Sequence, residues 1–340
     1  INGGRSVTEA TQLAGSNTIN TDWFDLTNRN ATYQNVGLDL SGGSDKTTFR
    51  FSTGYRDQKA ASLGNDLQKV YLRLRVDHKV NDKFKVGFNL SPTYTQSNAL
   101  STYGGVLLPP NISPYGPDGS YPDILGVPNP LAILNQNENN NKGIQLLGNI
   151  NGSYQITKDI AISATLGGDN YQNKQTQYFS AQNATGRNAN GRLQIYDRNY
   201  LSYIGFIQAT YDKTFAEKHT VNFLIGHQIE NKTTDLLRGS GTGFSFDRYR
   251  VLNMASIQGS ASSRYSDATL SYYSQLGYDF KKKYFANFNA RLDKSSIFGG
   301  DKQVAFNGSV GLAWLLSNED FLKNNNVFSL VKLRTTFGST

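Results

Sequence analysis

The chain has 340 residues and no cysteine, so no disulfide braces it, and its length suits one large domain or two ordinary ones. Aromatic residues make up 12%, with twenty tyrosines and nineteen phenylalanines, while charged residues reach only 18%, below the ~25% of an ordinary soluble domain. Mean hydropathy is -0.50 and no run approaches the roughly 18 consecutive apolar residues of a membrane-spanning helix, which excludes a helical membrane protein; the dispersed aromatic and β-branched residues argue against disorder. The net charge of +8 comes from scattered basic residues, and the densest run, Lys281-Lys282-Lys283, reads as a tight turn, so nucleic acid is not an expected partner.

Period-two alternation dominates the pattern. Val70, Leu72, Leu74 and Val76 alternate with Tyr71, Arg73, Arg75 and Asp77; beyond Asn81-Asp82, Phe84, Val86, Phe88 and Leu90 form one face against Lys85, Gly87, Asn89 and Ser91. The reading recurs through Ile144–Ile156, Ile160–Leu166, Leu270–Phe280 and Tyr284–Leu292. About twelve strands are predicted, near 34–42, 46–58, 67–80, 83–97, 143–157, 159–178, 192–214, 218–236, 268–281, 283–296, 304–316 and 328–338. Most exceed the nine to eleven residues, roughly, that carry a tilted strand across a bilayer. Two short helices are also expected, one from the N-cap Asn129 and Pro130 to Leu134, and one over Ser317–Leu322.

The connections alternate short and long, with 97–143 the longest. In an up-and-down meander this gathers short turns at one end and long loops at the other, the asymmetry of outer-membrane barrels with periplasmic turns and extracellular loops. Tyr154, Tyr211, Phe215, Tyr278, Phe280, Tyr284 and Phe285 crowd the short turns, either as an interfacial girdle or by ordinary strand preference. The fold class is therefore all-β, a transmembrane antiparallel up-and-down barrel. Ile1 opens the chain without a Met and Phe337-Gly338-Ser339-Thr340 closes it after an alternating segment, so a fragment is expected at both ends.

Catalytic and cofactor chemistry find no frame. The three histidines, His78, His219 and His227, lack zinc spacing; no nucleophile elbow is present; and Gly239-Ser240-Gly241-Thr242-Gly243 reads as a flexible loop, because no helix with a lysine follows it. The chain is not expected to be an enzyme. Residues suited to a solute lie in the 97–143 loop: Tyr103, Tyr115 and Tyr121 as stacking surfaces, with Asp118 and Asp123 as hydrogen-bonding groups. A loop folded back on itself explains the same composition equally well.

Several segments in order resemble the SusC/RagA family of TonB-dependent outer-membrane transporters: Thr21-Asp22-Trp23-Phe24-Asp25, Val36 to Thr47, Ser52 to Gln58, Asp77 to Lys83, Gly87 to Pro92 and Asn129-Pro130-Leu131-Ala132. Arg291-Leu292-Asp293-Lys294-Ser295-Ser296-Ile297-Phe298-Gly299 is similar to a late family segment, with Lys294 where glycine is usual; Ser309 to Trp314 and Leu333 to Gly338 complete the match. The resemblance implies a barrel of about 22 strands around a plug, of which residues 1–340 supply about twelve. Plug, TonB box and last strands have no counterpart in it. It further implies uptake of oligosaccharides or peptides, energy from the TonB-ExbB-ExbD system, a SusD-like surface lipoprotein as partner, and outer-membrane lipid around the wall. A complete twelve-stranded passive channel and a soluble β-rich carbohydrate-binding or adhesin module are the alternatives.

Overall fold

The computed structural model describes residues 18–101, 108–124, 126–299, 303–322 and 327–339. A short helix α1 (Trp23–Thr27) precedes β1 (Thr32–Gly43), β2 (Thr47–Lys59), β3 (Asn65–Lys79) and β4 (Phe84–Ala99). Helix α2 (Pro130–Gln136) leads into β5 (Glu138–Gln155), β6 (Ile160–Phe179), β7 (Arg192–Phe215), β8 (His219–Phe244), β9 (Ala255–Phe280), β10 (Tyr284–Ser295), β11 (Val304–Leu315) and β12 (Lys332–Ser339). All twelve strands form one sheet in chain order, every neighbouring pair antiparallel. Among the described residues β1 pairs only with β2, and β12 only with β11.

The two faces differ because side chains alternate and paired residues share a face. One row runs Phe88, Ile150, Leu166, Gly205, Ile229 and Leu270 across β4 to β9. Phe88, Ile150, Leu166 and Ile229 in it stay between a third and two thirds exposed. On the opposite face the row Lys85, Ser153, Ser163 and Gln208 is polar. An apolar face of this extent left uncovered is the face of a sheet whose solvent is hydrocarbon.

Register fixes the tilt. The pair Lys79–Lys85 closes the β3–β4 hairpin, and the row through Lys85 reaches β10 at Arg291, seven positions beyond Tyr284, the residue that closes the β9–β10 hairpin. Seven positions gained over six strands, at ~3.3 Å per residue and ~4.8 Å per strand, incline the strands by about 40°, the angle of membrane barrels. Two inward tyrosines seal gaps in the backbone. Tyr71 lies over its cross-strand partner Gly54, where an added Cβ would meet the hydroxyl at 2.5 Å, and Tyr273 lies over Gly226 in the same way.

The short turns gather at one end as expected. Ala216 and Glu217 both have positive φ, as do Lys281 and Lys282, and Lys218 N bonds Phe215 O at 3.1 Å as Lys283 N bonds Phe280 O at 3.0 Å. These are type I′ turns, whose twist suits a hairpin, built without the usual Asn-Gly. The link between β11 and β12 is the long exception at this end. The helix expected over Ser317–Leu322 is instead a single 3-10 turn, Leu316–Asn318. A second correction concerns Gly239–Gly243, read as a flexible loop: it lies in β8, and β9 begins at Ala255, so only 245–254 remain as loop. Small residues gave no alternation there, but the ladder between the two strands continues from Arg238–Ala261 to Thr242–Ile257.

Candidate functional site

The long connections fold into a cap on the outer end of the sheet. Its first apolar cluster joins Trp23 of α1 with Leu108, Ile112 and Ile124 of the loop after β4, with Leu26 and Val127 against them. Trp23 Nε1 donates to Pro109 O at 2.9 Å and Thr21 Oγ1 to Ile112 O at 2.7 Å. Asn129 is fully buried; its Oδ1 accepts from Leu131 N at 3.0 Å as the cap of α2, and its Nδ2 donates to Pro114 O at 2.8 Å. One side chain thus starts the helix and ties the loop to it.

A second cluster packs Tyr178, Leu193, Phe244 and Ala255 under the loops after β6 and β8. Asp247 accepts from the hydroxyls of Tyr178 and Ser180. Burial, and then Asp247 beside it, push the Tyr178 phenol well above its ordinary value, which keeps it a donor. Arg250 lies over the Tyr178 ring at 4.6 Å and donates to Gln136 O at 2.8 Å. Asn183, also buried, donates to Asn137 Oδ1 at 3.0 Å. Three loops are thereby held as one body.

The residues expected to meet a solute separate within this cap. Tyr103 lies outside the described residues. Tyr115 and Tyr121 come together, ring centroids 5.8 Å apart and tilted by 45°, with Tyr115 48% exposed. Asp118 turns back on its own loop: its Oδ1 accepts from Ser120 N at 3.0 Å, and bonds from the Ser120 side chain and amide hold its carboxyl below the ordinary range. Asp123 pairs with Arg187 of the loop after β6 at 2.6 Å. So the tyrosines form a pair with Tyr115 exposed and Tyr121 half-buried, while the two carboxylates fasten the loops.

At the opposite end a row of mainly aromatic residues crosses six strands: Phe215, His219, Phe280, Tyr284, Trp314 and Leu333. The ring of Phe280 stands 4.8 Å from His219 and 6.2 Å from Tyr284, and Tyr284 stacks on Trp314 at 6.0 Å. Of the residues expected for a girdle, Phe215, Phe280 and Tyr284 are in this row, with Tyr278 bonded to His219 Nδ1 at 2.7 Å; His219 and Trp314 join them unforeseen. Missed as well were the Tyr178–Asp247–Arg250 group and two amides on the polar inner wall that the alternation predicts. On that wall Asn141 Oδ1 and Asn173 Oδ1 are buried without a hydrogen-bond partner. Their positions in the alternation were the available signal.

No family model matches the chain. It is 27% identical over 336 residues to the TonB-dependent receptor P26 of Formosa agariphila, covering 94% of this chain and 34% of that protein. It is 24% identical over 359 residues to the TonB-dependent receptor SusC of Bacteroides thetaiotaomicron, covering 95% of this chain and 35% of that protein. The chain spans about a third of the length of these relatives. Among solved structures the RagAB peptide transporter superposes with a TM-score of 0.82 at 23% identity, over 95% of this chain and 38% of that one. The ferric citrate transporter FecA superposes with a TM-score of 0.58 at 11% identity, over 86% and 41%. The proteins named are receptors and transporters, not enzymes. In sequence this chain is similar to TonB-dependent receptors, SusC among them, and its fold is that of the outer-membrane barrel wall seen in RagAB.

Proposed function

We propose that the chain forms part of the wall of a TonB-energised importer that takes up oligosaccharides or peptides, receives them beneath a SusD-like surface lipoprotein, and draws energy from TonB with ExbB and ExbD. The observation that carries this reading is the two-faced meander inclined by about 40°, apolar toward lipid and polar within, under a packed outer cap. The likeness to SusC and to RagAB over nearly the whole chain supports it. The unpaired sides of β1 and β12 among the described residues favour a partial barrel completed by further strands over a closed twelve-stranded channel. The uncovered apolar face weighs against a soluble adhesin or carbohydrate-binding module.

No step of import needs covalent chemistry from these residues. The wall encloses a polar passage, and the Tyr115–Tyr121 pair, exposed at Tyr115, offers a surface on which an arriving solute stacks, positioned by Asp118 and Asp123. Cells making the protein should accumulate labelled oligosaccharide or peptide, and accumulation should cease on loss of TonB. Uptake that persists without TonB would defeat energised import and favour passive flow. Replacing Tyr115 and Tyr121 by Ala should weaken capture about tenfold, read as the Kd of the purified protein for its cargo; an unchanged Kd removes the pair from the capture surface.

A further inference from the structure

The inward face of the outer half of the sheet carries cations without matching acids. Beyond the hydrogen-bonded row that joins Tyr71, Tyr171 and Tyr200, the inward strand positions hold Arg56 on β2, Lys69 on β3, Arg192 and Arg198 on β7 and Arg238 on β8. Beyond this row no Asp or Glu occupies an inward position of β2 to β9. On the turn side of the row the pattern reverses: Arg75 pairs with Asp77, Lys232 with Glu230 and Arg291 with Asp293. None of the five upper cations takes part in an ion pair among the described residues, and Arg56 Nε and Arg192 Nε are buried without a hydrogen-bond partner.

Placement turns these charges into a path. Arg56 and Lys69 are directly opposite one another, and Arg198 is one diagonal step from Arg238, since Arg198 pairs with Leu236 and Tyr196 with Arg238. Along strands inclined by about 40°, Arg56 and Lys69 stand roughly 20–25 Å above the short-turn end, and Arg198 and Arg238 roughly 45 Å. The first pair lies inside the wall near the top of the apolar band, and the second stands beyond it, toward the cap. Between them the wall is Thr95, Asn141, Asn173 and Gln175, including the two carbonyl oxygens that lack a donor.

We propose that this face is a binding track for acidic oligosaccharides, the carboxylate or sulfate groups meeting the arginines and lysine while sugar hydroxyls donate to Asn141 and Asn173. The proposal rests on the uptake reading and narrows its substrate class. Like charges set opposite each other destabilise a sheet, and an anion between them reverses that cost. Guanidinium forks suit carboxylate and sulfate, and a cleft lined by one sign of charge concentrates the opposite sign. The intervening side chains are amides and hydroxyls, which suit a polyhydroxylated chain better than the mixed side chains of a peptide.

The purified protein in detergent, titrated calorimetrically with hexagalacturonate, maltohexaose and hexaglutamate, tests the track. Hexagalacturonate should bind at least about tenfold more tightly than either other probe. That preference should shrink as salt rises from about 0.05 to 0.3 M. Arg198→Gln with Arg238→Gln should abolish it, as should Arg56→Gln with Lys69→Gln, each variant checked for folding by heat-modifiable migration; Arg75→Gln, whose charge Asp77 already meets, should keep it. Equal binding of the three probes, failure to bind any of them, or a preference that survives both double variants overturns the proposal, and hexaglutamate bound best overturns it in favour of acidic peptides. The uptake reading falls on a different result: hexagalacturonate accumulation that is independent of TonB with the calorimetric preference intact.

Discussion

The two ends of these strands close the sheet by different means. At the short-turn end the polypeptide reverses within a few residues, and the aromatic row from Phe215 to Trp314 is assembled by register alone. At the other end long connections, broken by α2, must be fixed by side chains from distant parts of the sequence. Trp23 reaches Pro109, Arg187 reaches Asp123, and Arg250 reaches Gln136. Local backbone chemistry shapes the first end and non-local packing the second, so substitutions at the two should differ in size and in reach.

The largest effect is expected at the cap. Trp23→Ala empties the first apolar cluster and removes the bond to Pro109, at a cost of about 3–5 kcal/mol in the local opening free energy. Hydrogen exchange should quicken over 18–30 and 108–124 while the turn end keeps its protection; equal protection in both proteins would show that the cluster does not hold the loop. Asp247→Asn comes next, because two buried hydroxyls would share a neutral acceptor, at about 2 kcal/mol. Trypsin should then cut faster after Arg248 and Arg250, and an unaltered cutting rate would release Asp247 from this role.

The turn end responds in the opposite direction. Ala216 and Glu217 hold positive φ without the freedom of glycine, at roughly 1–2 kcal/mol per residue. Ala216→Asn with Glu217→Gly should therefore stabilise the β7–β8 hairpin by about 1 kcal/mol, seen as a higher urea midpoint. A lower midpoint would mean that the turn is held by contacts of the replaced side chains.

This contrast also decides what the sequence revealed. Alternation exposed most of the strands, and the predicted bounds of β6, β7 and β11 differ from the observed ones by a single residue, because register along a buried or lipid-facing wall is strongly specified. It failed over Gly239–Gly243 and Ser256–Ser266, where small and polar residues show no alternation and the ties, such as Arg264 to Asp235 and Ser256 Oγ to Gly243 O, are visible only once the strands are paired. The loop after β4 was legible as a place but not as a surface: Asp118-Gly119-Ser120 carries the pattern of an Asx turn that occupies Asp118, but nothing near Asp123 foretold Arg187. The inward cations were visible one at a time, but their alignment depends on pairing between strands far apart in sequence.

The smallest effect expected is a pH response at the turn end, where one non-local contact does anchor the long β11–β12 link. Glu319 accepts from Lys283 Nζ at 2.8 Å and from Trp314 Nε1 at 3.0 Å, and Lys283 first, then Trp314 and Tyr284, hold its carboxyl down at about 2. A value lowered on folding means that this anchor is fully present above the ordinary 4.5 and is lost as pH falls through about 2. In a Trp23→Phe background, the fluorescence of Trp314 should change across that window, and Glu319→Gln, which keeps an acceptor but cannot titrate, should flatten the change. A Trp314 signal that is flat in the parent, or that titrates equally in the glutamine variant, would leave the turn end governed by backbone chemistry alone.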